Sequence, residues 1–142
     1  MSYLKTVVQH LNDSVTGLKE CSKLSHDDRL NHFLIKLSEQ RKDFSRELTF
    51  LARDESIDTK KQSIAGSLHN LYIQLKSIIK TEDLEDIKRE IIRGDRVLIE
   101  SYNDAIMHEK DEDIKFLLSQ QLHSVHQDLV AISHQTHLNH DI

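Results

Sequence analysis

The chain has 142 residues, no proline, no tryptophan and only three glycines. That is one domain's length, with too few breakers for the turns of a β-sandwich or the glycine-rich phosphate loops of nucleotide enzymes. Charged residues make up 30% and hydrophobic residues 37%, and 19 basic against 24 acidic residues give a formal charge of −5 without a basic tract. This is the balance of solvated amphipathic helices, and neither nucleic acid nor a membrane is an expected partner.

Apolar residues recur at three- and four-residue steps in four long stretches, the spacing of one buried helix face. The start, MSYLKTVVQHLNDS, has no continuous apolar run. Neither signal peptide nor membrane anchor is expected there, and the expected compartment is cytoplasmic. The first helix is expected from about Tyr3 to Leu24, with Leu4, Val8, Leu11, Val15 and Leu18 in its row. Cys21, the single cysteine, suits a half-buried structural thiol in a reducing compartment. The second helix opens near Asp27 and Asp28, residues that suit a helix N-terminus. Its row is Leu30, Leu34, Leu37, Arg41, Phe44, Leu48 and Leu51. A polar segment follows, and then a shorter helix from about Ile64 to Ile79, packed through Leu68, Leu71, Leu75 and Ile78. The third main helix starts near Thr81, with Thr81-Glu82-Asp83-Leu84 read as a cap and first-turn acids. Its row runs through Leu84, Ile91, Asp95, Leu98, Tyr102 and Ala105. The fourth starts near Asp111, carries Leu118, Leu122, Val125, Leu129 and Ile132, and frays from about residue 135. Main helices of about 25 residues are rods of roughly 37 Å. The expected architecture is all-α: one domain over 1–142, a four-helix bundle with an extra short helix in the long connection between the second and third main helices.

Two charges interrupt the apolar rows, Arg41 and Asp95, each near mid-helix. Matched helices bring such positions to one height, so one central layer is expected to hold Val15, Arg41, Asp95 and His126. A buried carboxylate and a buried guanidinium each need a partner, and the simplest arrangement pairs them. Gly94 beside Asp95 costs helix stability and suggests a closely packed neighbour.

These residues also carry a resemblance. Asp13 and Gly17, then Gln40-Arg41 with Phe44 and Glu47-Leu48, then Ser63-Ile64-Ala65-Gly66-Ser67-Leu68-His69, Arg93-Gly94-Asp95 with Tyr102, and Gln121 with His126 occur in this order. The chain resembles the ferritin-like superfamily, and more closely a bacterial family of four-helix-bundle proteins of unknown function. That family tends to have glutamate where this chain has Val15, and again where it has Asp95. The resemblance implies a ferritin-like fold in a bacterial, cytoplasmic protein, and no established activity.

A di-iron carboxylate bundle takes a Glu from each of two helices and a Glu-x-x-His from each of the other two. No glutamate here has histidine three residues later: Lys42 follows Glu39, Phe50 follows Glu47, Arg93 follows Glu90 and Asn103 follows Glu100. Arg41 in the central layer would repel a metal ion. The remaining metal candidates are Asp95, His126, His123 and His69, with His134, His137 and His140 at three-residue steps in the tail. On a histidine-rich surface, pairs such as His123 and His126 arise without a metal role. No cofactor is expected, and a bound metal ion is the alternative.

Two functions follow from different classes. One is a non-catalytic helical bundle, stress-related or an interaction scaffold, forming a homo-oligomer through a stripe such as Ile92, Ile99 and Ile106; these isoleucines can equally pack under the connecting helix. The other is a divergent ferritin-like metal protein using Asp95 and His126. A third idea is a histidine-based pH switch. Protonating all ten histidines takes the formal charge from −5 to +5, so association or solubility should change between neutrality and mild acid.

Overall fold

The computed structural model describes residues 2–53, 67–80 and 83–134, with the side chains of 67–70 and 134 outside the description. The described residues form five helices and no strand. They are α1 (Tyr3–Leu24), α2 (Asp28–Ala52), α3 (Ser67–Ile79), α4 (Leu84–His108) and α5 (Glu112–His134). Residues 64–66 of the expected connecting helix, and the tail from 135, lie outside the described residues.

Side-chain caps set the helix starts. Ser2 accepts from the Lys5 amide, and Asp27 accepts from the Leu30 amide at 2.9 Å. The cap of α4 is Asp83, which accepts from the Asp86 amide, rather than Thr81. Leu84 is then the first helical residue, and Glu85 and Asp86 are the acids of the first turn. Asp111 accepts from the amides of Asp113 and Ile114 and opens α5. At the other end of α2, Arg53 turns the chain out with φ 51°, a left-handed conformation usually given to glycine.

Four neighbour pairs link the long helices: α1 with α2, α2 with α5, α5 with α4, and α4 with α1. Among the described residues, α1 and α5 make no close backbone approach, nor do α2 and α4. α3 lies against both α1 and α4. The core divides into two apolar clusters. One joins Leu18 and Cys21 of α1, Leu30, Leu34 and Leu37 of α2, Tyr72, Leu75 and Ile79 of α3, Ile87 and Ile91 of α4, and Ile132 of α5. The other joins Leu4, Val7, Val8 and Leu11 to Leu48, to Leu98, Tyr102 and Ala105, and to Ile114, Leu118 and Val125. The pairing of early with late residues makes α1 antiparallel to α2 and α4 antiparallel to α5. It also makes α2 and α4 parallel.

The expected rows describe one stripe per helix, and α1 departs from that. With three neighbours it buries Val7, Asn12, Asp13, Ser14, Gly17 and Ser22 as well, while Val15 is only half-buried. On α3, Leu71 and Leu75 are buried as expected, Ile78 is half-buried, and Tyr72 and Ile79 are buried too. The Leu68 side chain lies outside the described residues. Ile92, Ile99 and Ile106 are half-buried against the two clusters. No described helix is long and apolar enough to cross a membrane.

Candidate functional site

Between the two apolar clusters lies a polar layer centred on Arg41, which is 0% exposed. Its position in the α2 row forces the side chain inward, and its length carries the guanidinium across the core to the diagonally placed α4. There Nη1 donates to Asp95 Oδ1 at 3.3 Å. Nη2 donates to Asp128 Oδ2 of α5 at 3.3 Å, and Nε donates to Gln40 Oε1 at 2.9 Å. One cation therefore ties three helices together. Asp95 is 2% exposed, and its second oxygen, Oδ2, has no hydrogen-bond partner. The Asp128 side chain is a quarter exposed, so water reaches this end of the layer.

Burial dominates the electrostatics. It pushes the Asp95 carboxyl above the ordinary carboxylate range; Arg41 pulls it back in part, and Asp128 adds to the push. Burial works against the Arg41 charge, but Asp95, Tyr72 and Asp128 together hold the guanidinium protonated. Tyr72 and Tyr102 are phenols whose ionisation burial makes harder, although Arg41 favours it. Cys21, fully buried, has its thiol pushed up to about 12 by burial, with Lys76 acting downward and Glu20 upward. A thiol in that state is a poor nucleophile.

Secondary hydrogen bonds complete the layer. The Tyr72 hydroxyl donates to Ser14 Oγ at 3.1 Å, and Ser14 donates to the His10 carbonyl at 3.0 Å. Tyr102 donates to Gln121 Oε1 at 2.7 Å, and the Gln121 amide donates to the Phe44 carbonyl and to Glu47 Oε1. Ser45 donates to Asn12 Oδ1, and Ser38 to the Val15 carbonyl. The ring of Tyr72 sits over Gly17. A Cβ built on Gly17 would lie 2.2 Å from Tyr72 Cγ and 2.7 Å from its Cβ. Only glycine lets α3 come this close to α1.

The structure brings Arg41 and Asp95 together and leaves the other expected members of the layer apart. His126 is exposed on α5, as is His123. The inward position on that helix belongs to Asp128, three residues beyond buried Val125 and four before buried Ile132. His126 stands about 100° round the helix from Val125, and that rotation carries it to the surface. Asp95 and His126 therefore form no common site. The His69 side chain and the tail histidines His137 and His140 lie outside the described residues. Among the described residues, no group of three or more His, Cys, Asp or Glu is placed to hold a metal ion. Gln40, Asp128 and the Gly17–Tyr72 contact were not singled out by row reading. Asp128 had a signal, since Gln121, Val125, Asp128 and Ile132 follow the helical steps of four, three and four.

No curated protein matches the chain, and no solved structure does. Residues 1–108 match a family described as "Domain of unknown function (DUF2383)", a span that contains Arg41, Asp95, Gly17 and Tyr72 and stops before Asp128. With that match over well more than half its length, the chain belongs to the DUF2383 family.

Proposed function

We propose that this protein is a non-catalytic ferritin-like four-helix bundle, α1, α2, α4 and α5, with α3 as an extra helix on the crossover, and that it serves as an interaction scaffold. The carrying observation is the Arg41 guanidinium at the centre of the polar layer, bonded to Asp95 and Asp128. A ferritin-like bundle that works on metals places carboxylates and histidines at that height. A fixed cation there opposes a second one. The parallel course of α2 and α4, joined by one long connection, agrees with the single crossover of ferritin-like folds. Scaffold function is supported by apolar side chains left at the surface: Phe50 at 79%, Met107 at 77% and Phe116 at 65% exposure. The same reading makes a cytoplasmic homo-oligomer the expected state.

Metal analysis of untagged protein after exhaustive dialysis tests the proposal. Only trace, sub-stoichiometric metal is expected. One tightly held ion per chain, lost on Asp95→Asn, would replace this reading with the metalloprotein one.

A further inference from the structure

We infer that the Arg41 layer is a proton-binding site, in which Asp95 takes up a proton on its partnerless Oδ2 in mild acid and leaves a charge-neutral core. The inference rests on the reading above that a guanidinium and no metal ion occupies this layer. Three observations carry it. Two carboxylates share one guanidinium, so the fully ionised cluster holds a net negative charge inside the core. The two acids are unequal: Asp128 keeps a quarter of its side chain in water, and Asp95 keeps almost none. Asp95 Oδ1 already receives the Arg41 donor, while Oδ2 is enclosed and receives nothing. A buried oxygen carrying half a charge without a donor is costly, and a proton removes that charge.

The groups facing the cluster leave Asp95 as the acceptor. From α2 comes Arg41, which stays charged. From α5 comes Asp128, a like charge that favours protonation of Asp95. From α3 comes Tyr72, whose phenol is held neutral by burial and bonded to Ser14 of α1. Beyond Tyr72, α1 supplies Cys21, likewise held neutral, and buried Asp13 lies next to Ser14. On α4 itself, Tyr102 is neutral and committed to Gln121. The sign follows. A carboxyl whose folded pKa lies above its unfolded value binds more protons in the folded chain. Its destabilising effect is present above the folded value and is relieved as pH falls through it.

Carboxyl carbon NMR on the full chain with 13C-labelled aspartate reads this directly, with Asp95 assigned by the signal missing in Asp95→Asn. The expected result is an Asp95 titration well above the unperturbed value of about 3.9. Asp128→Asn should move that titration down, because it removes the like charge and leaves a neutral ion pair. Asp128 keeps a quarter of its side chain in water, and asparagine preserves its shape and an acceptor oxygen for Arg41, so this variant is expected to fold even where Asp95→Asn does not. An Asp95 signal that titrates with the exposed aspartates overturns the inference, and so does one that Asp128→Asn leaves unmoved. A shift of the Asp95 signal on adding Zn2+ to dialysed protein would instead overturn the metal-free reading beneath it.

Discussion

The two halves of the core are built differently on either side of the Arg41 layer. In the half that holds Leu34, Ile87 and Ile132, a fifth helix enters: Tyr72, Leu75 and Ile79 of α3 fill the space between α1 and α4. In the other half, no described part of α3 joins the apolar cluster formed by α1, α2, α4 and α5. There α1 and α4 border a groove of about 220 Å³ lined by Tyr3, Thr6, His10, Val97, Glu100, Ser101 and Asp104. The lining residues explain the difference. Where α3 docks, α1 offers Gly17 and Cys21, small residues that admit another helix. Beyond the stretch that α3 covers, the same face carries half-buried Thr6 and His10, and α4 carries exposed Glu100 and Asp104, polar side chains that give α3 no apolar contact there. One half therefore depends on a keyed contact, the other on four long helices and the Tyr102–Gln121 bond.

Arg41 serves both halves, and its removal should have the largest effect. Arg41→Ala strands the Asp95 carboxylate and releases Asp128, at an expected cost of ~3–5 kcal/mol. Chemical denaturation at neutral pH measures it. Replacing Arg41 by Met together with Asp95 by Leu should cost much less, since the charge of the layer that then remains, Asp128, is the one water reaches. A double variant as unstable as the single one would mean that the layer stabilises by shape and not by charge pairing.

The difference between the halves also marks what the sequence could reveal. Row reading identifies helix ends to within a few residues, because caps and +3/+4 spacing are local. It finds Arg41 and Asp95 because a charge inside an apolar row is conspicuous. It does not find Asp128 as the third partner, because the apolar row through Val125, Leu129 and Ile132 passes beside it and the alternative step from Val125 through Asp128 to Ile132 is marked by no apolar residue. Nor does it find the use of Gly17. That glycine matters only through Tyr72, 55 positions away in the chain, and a contact of that kind has no local signature. The extra burial of α1 escapes for the same reason: a helix with three neighbours shows more than one stripe, and its polar stripe, Asn12, Ser14 and Ser22, reads as surface.

Gly17→Ala should break the keyed half alone. Alanine in a helix interior gains roughly 1 kcal/mol over glycine. Against this, the new Cβ meets Cγ and Cβ of Tyr72, the base of the ring and not a flexible end. Overpacking of this kind costs ~1–3 kcal/mol, and the clash should win. Hydrogen exchange should accelerate in α3 and leave the α4–α5 contacts of the other half unchanged. Stability above that of the parent would show that α3 can shift at no cost.

Acid should act on the grooved half in the opposite sense to Asp95. Burial lowers the pKa of His10, whose Nδ1 is enclosed without a hydrogen-bond partner. The folded chain therefore resists the charge that the unfolded chain accepts near its ordinary value of about 6.5. The stability tied to neutral His10 is present above that value and lost as pH falls below it. His10→Gln should flatten the fall of the thermal midpoint between neutrality and pH ~5.5, a window set by the ordinary imidazole pKa. An unchanged slope would assign acid sensitivity to the exposed histidines instead, which would then show as a change of solution mass or solubility.

The smallest expected effect lies at the α2 terminus, in the grooved half. Arg53 closes the helix in the left-handed region, with its amide donating to the Thr49 carbonyl at 3.1 Å. For a residue with a Cβ, that conformation costs roughly 1–2 kcal/mol. Glycine adopts it freely but loses more entropy on folding, roughly 0.5–1 kcal/mol. The difference favours glycine by roughly 0–1.5 kcal/mol. Arg53→Gly should therefore raise the thermal midpoint slightly, keep the Thr49 bond, and leave exchange in α3 unaltered, because the keyed half does not include this turn. A fall in stability would show that the exposed Arg53 side chain contributes more at the end of α2 than its backbone strain costs.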